Sequence, residues 1–179
     1  MSISEPSRLS LSPHHSHAPS TLGPTLFGAR MDFQVHSDPR QALNEWRDLE
    51  LRVQSDSISS SWEWTQGWIR HFGDSVPHRI LVAREQGIVR GMCLLTFPEE
   101  VTGPFMIRTV HLGTAGEPDT DSLCIEYNRL LVDDLYRTPM AYTLLRHLRE
   151  DSSWDMLRFE GLAQEEAHVL IQAESDFQL

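Results

Sequence analysis

Apolar positions recur along residues 31–179 with two different periods, which together predict an α/β domain. Asp38 and Pro39 provide the capping carboxylate and the first-turn proline of a helix start. A second helix is expected to open at Ser60 and to stop at Gly73. The apolar faces of these two helices are Leu43, Trp46, Leu49 and Val53, and then Trp64, Trp68 and Phe72.

Apolar runs of a different kind predict the strands of a mixed sheet. Residues 79–84 and 88–97 form a hairpin around Gly87, and the second run is apolar on both faces, which is typical of a central strand. We expect further strands at 32–36, 105–113, 123–132 and 155–160, and further helices from Thr138 and at 164–173. This order predicts an α/β fold in which helices flank a mixed sheet.

Residues 1–30 differ from the rest of the chain. They are rich in Ser, Pro, His and Thr and show no periodicity, so we expect a disordered tail. A start at Met31 is the alternative. The tail contains His14, His15 and His17, but no cysteine or carboxylate lies nearby to complete a metal shell, and no metal site is predicted.

Composition excludes several classes of function. The formal charge of −11 and the pI near 5.2 argue against a nucleic-acid partner, which calls for clustered basic residues. No apolar run reaches the roughly 20 residues of a membrane span, so no membrane insertion is expected. The two cysteines, Cys93 and Cys124, lie in apolar surroundings, and with no secretory signal they favour a cytoplasmic protein.

The segment 124–148 carries the most information about chemistry. A strand is followed by a loop and an amphipathic helix, the arrangement in which helix N–H groups hold a phosphate. The loop 133–141 contains no glycine, however, and Pro139 lacks an N–H group. Asp133 and Asp134 add negative charge, and Arg137 is the single compensating cation, so the loop is a poor anion cradle.

The remaining candidates are few. Cys93 lies within an apolar strand, where a thiol is inert, and the chain has no Gly-x-Ser-x-Gly elbow, so no catalytic residue is assigned. Trp62 lies off the apolar stripe of its helix and is therefore the better tryptophan for a pocket or partner contact.

This order of elements resembles the GCN5-related N-acetyltransferase (GNAT) superfamily. Leu131-Val132 matches the strand end before that family's pyrophosphate loop, and Leu144-Leu145 matches the helix after it. Residues 137–141 stand where the family has an Arg/Gln-x-x-Gly-x-Gly/Ala turn, with the glycines replaced. The resemblance implies acetyl-CoA or another acyl-CoA as cofactor in the family. For this chain, the alternative is that it binds no cofactor.

A closer resemblance is to the N-terminal half of CelD-like (BcsL-type) acetyltransferases, which look like a tandem of two GNAT-like halves. It covers residues 46–160. The matching stretches are Trp46 with Leu49, residues 61–73, residues 79–83 with the Gly87 turn, residues 108–113 and residues 126–132. The resemblance implies that 31–179 is one GNAT-like domain, incomplete at its C-terminal edge.

The resemblance also implies site residues. The two halves would form a cleft in which Glu126, Tyr127 and Asn128 face the acceptor, whereas Arg137 and Thr138 would contact acyl-CoA only if this chain binds it. The alternative for Glu126 and Asn128 is the solvated face of an edge strand. Replacement of both by Ala would then change stability by less than about 0.5 kcal/mol.

Three functions follow from these expectations. The first is an acyltransferase-family domain related to cellulose-biosynthesis acetyltransferases that is not catalytic alone. It would work with a second GNAT-like half or as a homo-oligomer. The second is a small active N-acyltransferase. The third is a non-catalytic module that docks on a partner acyltransferase or a polysaccharide-synthesis complex.

Overall fold

A computed structural model describes residues 31–36, 38–102, 104–118, 123 and 126–177. The helices are α1 (Pro39–Val53), α2 (Trp62–Phe72), α3 (Arg137–Glu150) and α4 (Gln164–Phe177). The strands are β1 (Asp32–Val35), β2 (His78–Glu85), β3 (Ile88–Thr96), β4 (Glu99–Thr102), β5 (Phe105–Leu112), β6 (Leu131–Val132) and β7 (Met156–Arg158). The predicted tail 1–30 lies outside the described residues.

The strands form a mixed sheet with β3 at its centre. β1, β2, β3 and β5 pair antiparallel in that order, and β7 runs parallel to β5. The turn between β2 and β3 places Gln86 and Gly87 at φ 49° and 81°, the left-handed region of a hairpin turn. The prediction of a mixed sheet flanked by helices is confirmed.

β3 and β4 both pair with β5. Thr96 pairs with His111 and Glu99 pairs with Arg108, so β4 prolongs β3 along the same partner strand after the break at Phe97-Pro98. The sequence pattern did not predict β4. The result is a β4–β5 hairpin at one end of the sheet.

β5 and β6 both pair antiparallel with β3, one after the other along the same edge of that strand. Leu112 lies opposite Leu95 and Leu131 lies opposite Met92, so β5 and β6 pair with neighbouring stretches of the same side of β3. The expectation of a continuous strand over 123–132 is wrong, because of the described residues in this segment only Leu131–Val132 pairs with β3. Cys124 and Ile125, on which the expected alternation also depended, lie outside the described residues.

Two apolar cores lie on opposite faces of the sheet. Cys93 and Leu95 of β3 point to a core formed with α3 and α4, whereas Met92 and Leu94 point to a core formed with α1 and α2. This two-sided burial confirms the prediction of a central strand. It also explains why the strand reads as a continuous apolar run rather than as an alternation.

The helix boundaries follow the predicted caps with small differences. The Asp38 carboxylate accepts a hydrogen bond from the backbone N–H of Arg40 at 2.9 Å, as the cap predicts. The second cap is Ser61 rather than Ser60, and its hydroxyl accepts from the N–H of Trp64 at 3.2 Å. The last helix is longer than expected and extends to Phe177. Among the described residues, no helix has the length and apolar character needed to cross a membrane.

Candidate functional site: a charged loop and an adjacent groove

The loop between β6 and α3 lies at the close approach of helix and sheet. A Cβ atom on Gly91 of β3 would lie 2.8 Å from the Met140 sulfur, so the first turns of α3 pack directly on the sheet. A single 3₁₀ turn over Asp134–Tyr136 joins the strand to the helix. The backbone therefore has the strand–loop–helix arrangement that the sequence predicts.

Arg137, the first residue of α3, binds two carboxylates of its own chain. Its guanidinium donates to Glu166 at 2.7 Å and to Asp134 at 2.8 Å. The Glu166 side chain, from the first turn of α4, is fully buried. Burial raises the pKa of this carboxyl, and the opposing attraction of Arg137 and, more weakly, Arg129 does not offset it.

A second arginine at the loop is also neutralised from within the chain. Arg90 of β3 forms ion pairs with Glu85 at 3.4 Å and with Asp133 at 3.5 Å. Its guanidinium lies 4.7 Å from the centre of the Tyr136 ring, and the Tyr136 hydroxyl donates to Glu85. Two arginines thus face four carboxylates around this loop.

These residues do not fit the diphosphate of acyl-CoA. Both guanidinium groups already have carboxylate partners, and the surplus of negative charge opposes an incoming phosphate. Each residue of the loop carries a Cβ atom where the family has glycines, and Pro139 removes one N–H from the first turn of α3. Thr138 lies half-buried in this same turn. The assignment of Arg137 and Thr138 to acyl-CoA stays a prediction.

A groove of about 510 Å³ lies between the segment before α2 and residues 126–129. One wall is residues 56–59, the segment before α2, together with Trp64. The other wall is Glu126, Tyr127 and Arg129. The Ser59 hydroxyl joins the two walls by donating to the Tyr127 carbonyl at 3.0 Å.

Asn128 holds the second wall from below and is not a surface residue. Its side chain is buried, and its amide donates to the carbonyls of Leu112 at 2.8 Å and Glu160 at 3.3 Å. Its backbone pairs with the chain around Leu162 in a parallel bridge. The solvated edge strand expected for Asn128 is therefore wrong. An isolated buried amide gives no periodic signal from which a sequence could reveal this role.

Tyr127 has the unusual backbone of the groove. Its φ angle is 55°, in the left-handed region that non-glycine residues rarely occupy, while its side chain is 71% exposed. Strain of this kind persists only where neighbours hold it, and it clusters at functional sites. Here the Tyr127 backbone is held by the hydrogen bond from Ser59 to its carbonyl and by the hydrogen bond that the adjacent Asn128 side chain donates to Leu112.

Trp62 and Trp64 lie in surroundings different from those expected from the sequence. Trp62 lies away from the groove. The Arg47 guanidinium lies 5.4 Å from the centre of its ring, and the Trp62 backbone N–H donates to the Glu50 carboxylate at 2.7 Å. Trp64, which the helical stripe assigned to the core, lines the groove and donates from Nε1 to the Thr114 hydroxyl at 2.6 Å. The role proposed for Trp62 stays a prediction.

Arg129 is the functional candidate that the sequence did not indicate. Its side chain is 29% exposed, and its Nε atom is buried with no hydrogen-bond partner among the described residues. Its ion pair with Asp56 spans 3.8 Å, which is too long for a hydrogen bond, and Asp56 is itself 95% exposed. The groove therefore contains a mostly buried cation with donors to spare.

Comparisons with known proteins give distant structural likenesses. No protein-family model matches the sequence, and no curated protein matches it. The aminoglycoside N-acetyltransferase AAC(6')-Iy in complex with CoA has a TM-score of 0.48 and 12% identity, with 83% of this chain and 87% of that chain covered. A ribosomal-protein-alanine N-acetyltransferase from Brucella melitensis biovar Abortus 2308 has a TM-score of 0.46 and 14% identity, covering 79% and 89%.

A third likeness is to glucosamine-6-phosphate N-acetyltransferase from Arabidopsis thaliana, with a TM-score of 0.43, 12% identity and coverage of 79% and 89%. At TM-scores below 0.5, these likenesses assign neither a family nor an activity to the chain.

Proposed function

We propose that this chain is a GNAT-like acyltransferase-family domain that does not bind acyl-CoA by itself and instead contributes the acceptor side of a larger acyltransferase. A second GNAT-like half or another copy of the chain would supply the acyl-CoA. The observation that carries this proposal is the charged loop before α3, where carboxylates of the chain already bind both arginines.

The charge balance supports this function over catalysis by the chain alone. A diphosphate would have to displace Glu166 and Asp134 from Arg137 and then lie among them. Displacing Glu166 would leave a buried carboxylate without its cation, which costs several kcal/mol by general experience with buried pairs. The groove, in contrast, is open and has unused donors.

The order of elements supports the family part of the proposal. The two helices, the β2–β3 hairpin and the β6–loop–α3 unit follow one another as the resemblance to GNAT proteins requires. The relation to CelD-like acetyltransferases rests on the sequence stretches alone and is part of the proposal. A small active N-acyltransferase remains the rival, and it requires acetyl-CoA to bind at Arg137.

Acetyl-CoA binding by the full chain tests the proposal. We expect no calorimetric heat of binding and no change in melting temperature at 1 mM acetyl-CoA, a concentration chosen as roughly a hundred times a typical dissociation constant. Binding at that ratio would add about 2.7 kcal/mol and raise the melting temperature by about 5–10 °C. Such a rise, lost in Arg137→Ala and kept in Arg40→Ala, would overturn the proposal in favour of the active enzyme.

A docking module is the second candidate, and the β4–β5 hairpin favours it. Val101, Phe105 and Met106 are 76%, 70% and 62% exposed, so apolar side chains cluster on the surface of this hairpin. Sedimentation of the chain and of Phe105→Ser at several concentrations tests this candidate. Self-association that the substitution abolishes would favour docking through the hairpin.

A further inference from the structure

The groove beside Tyr127 has a charge pattern that selects its ligand. Of the described residues that line it, Arg129 is the one cation, whereas Asp56 and Glu126 supply two carboxylates. A simple anion would be attracted by the first and repelled by the other two, and a simple cation would leave the Arg129 donors unsatisfied. A ligand that carries both charges satisfies all three side chains.

The apolar part of the groove selects the rest of the ligand. Ile58 is 74% exposed and Tyr127 71% exposed, and both face a groove that Trp64 also lines. Exposed apolar side chains around a few polar groups are typical of small-molecule sites, and a volume of about 510 Å³ lies in the usual range for such sites. The side chains of a bound molecule would replace water on these surfaces.

We infer that the groove binds a small zwitterion of the α-amino-acid type with a large apolar side chain. The carboxylate accepts from the Arg129 guanidinium, whose planar fork matches a carboxylate in two parallel hydrogen bonds. The ammonium group lies toward Asp56 and Glu126, and the apolar side chain lies against Ile58, Trp64 and Tyr127. Ligand binding thus gives the groove-lining Arg129 guanidinium a closer acceptor than the Asp56 carboxylate at 3.8 Å, its ion-pair partner among the described residues.

The backbone of the groove supports a binding role rather than a purely structural one. Tyr127 keeps a left-handed φ angle while its ring faces solvent, so the strain does not serve packing of the ring in a core. Asn128 fixes that backbone from below through two carbonyls. Asn128 is therefore a positioning residue, because it orients Tyr127 and Arg129 without lining the groove itself.

This inference deepens the proposed function by naming the class of acceptor, and it rests on that function in taking the groove as the acceptor side. Its test does not use acyl-CoA. A failure of the inference is therefore separate from a failure of the proposed function, which the acetyl-CoA titration decides.

Three probes test the inference by calorimetry on the full chain. L-Phenylalanine carries both charges, phenethylamine lacks the carboxylate and 3-phenylpropanoate lacks the ammonium group. We expect phenylalanine to bind at least about tenfold more tightly than either of the others, because each lost charge removes a charge-assisted hydrogen bond. Equal binding of the three probes, or no binding of phenylalanine at 10 mM, would overturn the inference.

Two variants locate the binding. Arg129→Gln should weaken phenylalanine binding by about 10- to 100-fold, whereas Arg40→Gln, an exposed arginine at the start of α1, should leave it unchanged. Tyr127→Asn removes the ring but tolerates the left-handed backbone, and should also weaken binding. If Arg129→Gln does not fold, the Tyr127→Asn result decides, and unchanged affinity there places any binding outside the groove.

Discussion

Arg137 and Arg129 lie on either side of the segment that returns to the sheet as β6, and their surroundings differ sharply. Arg137 has carboxylate oxygens at 2.7 and 2.8 Å, one of them from a fully buried glutamate. Among the described residues, Arg129 has an ion pair with the exposed Asp56 at 3.8 Å, and its buried Nε atom has no hydrogen-bond partner there. Both are arginines of similar exposure, at 21% and 29%.

The comparison teaches that the presence of an arginine says less about ligand binding than the partners it already has. A guanidinium with two carboxylates gains little from an anion in solution, because binding exchanges one set of charge-assisted hydrogen bonds for another. A guanidinium with unused donors gains the full set. The partners of Arg137 agree with the expectation that its loop is a poor anion cradle, and the groove beside Arg129 is the better candidate for a ligand site.

Removing the buried partner of Arg137 should have the largest effect on stability. Glu166→Ala leaves a partly buried guanidinium with Asp134 alone and opens a cavity, so we expect a loss of about 3 kcal/mol in the free energy of unfolding. Urea denaturation measures this loss. Glu165→Ala, an exposed neighbour in the same helix turn, is the control and should change stability by less than about 0.5 kcal/mol. Equal effects of the two substitutions would contradict the structural role of the Arg137 pair.

Removing the support of the groove should have the next largest effect. Asn128→Ala leaves the carbonyls of Leu112 and Glu160 without their donor, and we expect a loss of about 1–3 kcal/mol by the same measurement. Glu126→Ala, exposed on the groove wall, should fall within about 0.5 kcal/mol of the unsubstituted chain. A loss below 0.5 kcal/mol for Asn128→Ala would return Asn128 to the surface role expected from its sequence.

An exposed ion pair between an arginine and an aspartate should have the smallest effect on stability, and it serves as a reference for the two buried sites. Arg108 donates to both carboxylate oxygens of Asp155 at 3.1 Å, and these hydrogen bonds lower the pKa of Asp155 to about 2. A lowered pKa stabilises the fold above the ordinary pKa of aspartate, and this stabilisation is lost as pH falls toward 2.

Melting temperatures of the chain and of Asp155→Asn should therefore differ slightly at pH 6 and converge as pH falls from 4 to 2. The pair is exposed, so the difference should be smaller than for Glu166→Ala or Asn128→Ala. A difference that is constant with pH would show that the Asp155 charge does not stabilise the fold.

Much of the fold could be predicted from the sequence, because its elements have strong local signals. The Asp38 cap, the Trp68 and Phe72 stripe and the Gly87 turn each depend on residues close in the chain. The two-sided apolar run of β3 indicated a central strand for the same reason. The prediction of a strand over 123–132 was wrong, because the alternation of apolar and polar residues there does not come from a strand. Tyr127 instead adopts a left-handed backbone conformation.

The sequence named two of the residues that line the candidate groove, and their role in binding stays a prediction. Glu126 and Tyr127 were expected to face a ligand, and they line the groove. Trp64 and Arg129 were not expected there, because a tryptophan in a helical stripe normally packs in a core and an isolated arginine gives no pattern. Asp56 and Arg129 lie far apart in the chain, so their proximity depends on how Arg129 packs beside the segment that precedes α2.

The sequence by itself determined the class of the fold and showed that the loop before α3 is poorly suited to binding a phosphate. Both follow from features that act over a few residues: helix caps, turns and a lack of glycine. Only the tertiary structure decided which arginine is available. Glu166 reaches Arg137 from a helix that begins 27 residues later, whereas no carboxylate in the part of the chain that the structure describes comes as close to Arg129. Partners of this kind are fixed by packing, since side chains distant in sequence meet only when the sheet and its helices are in place.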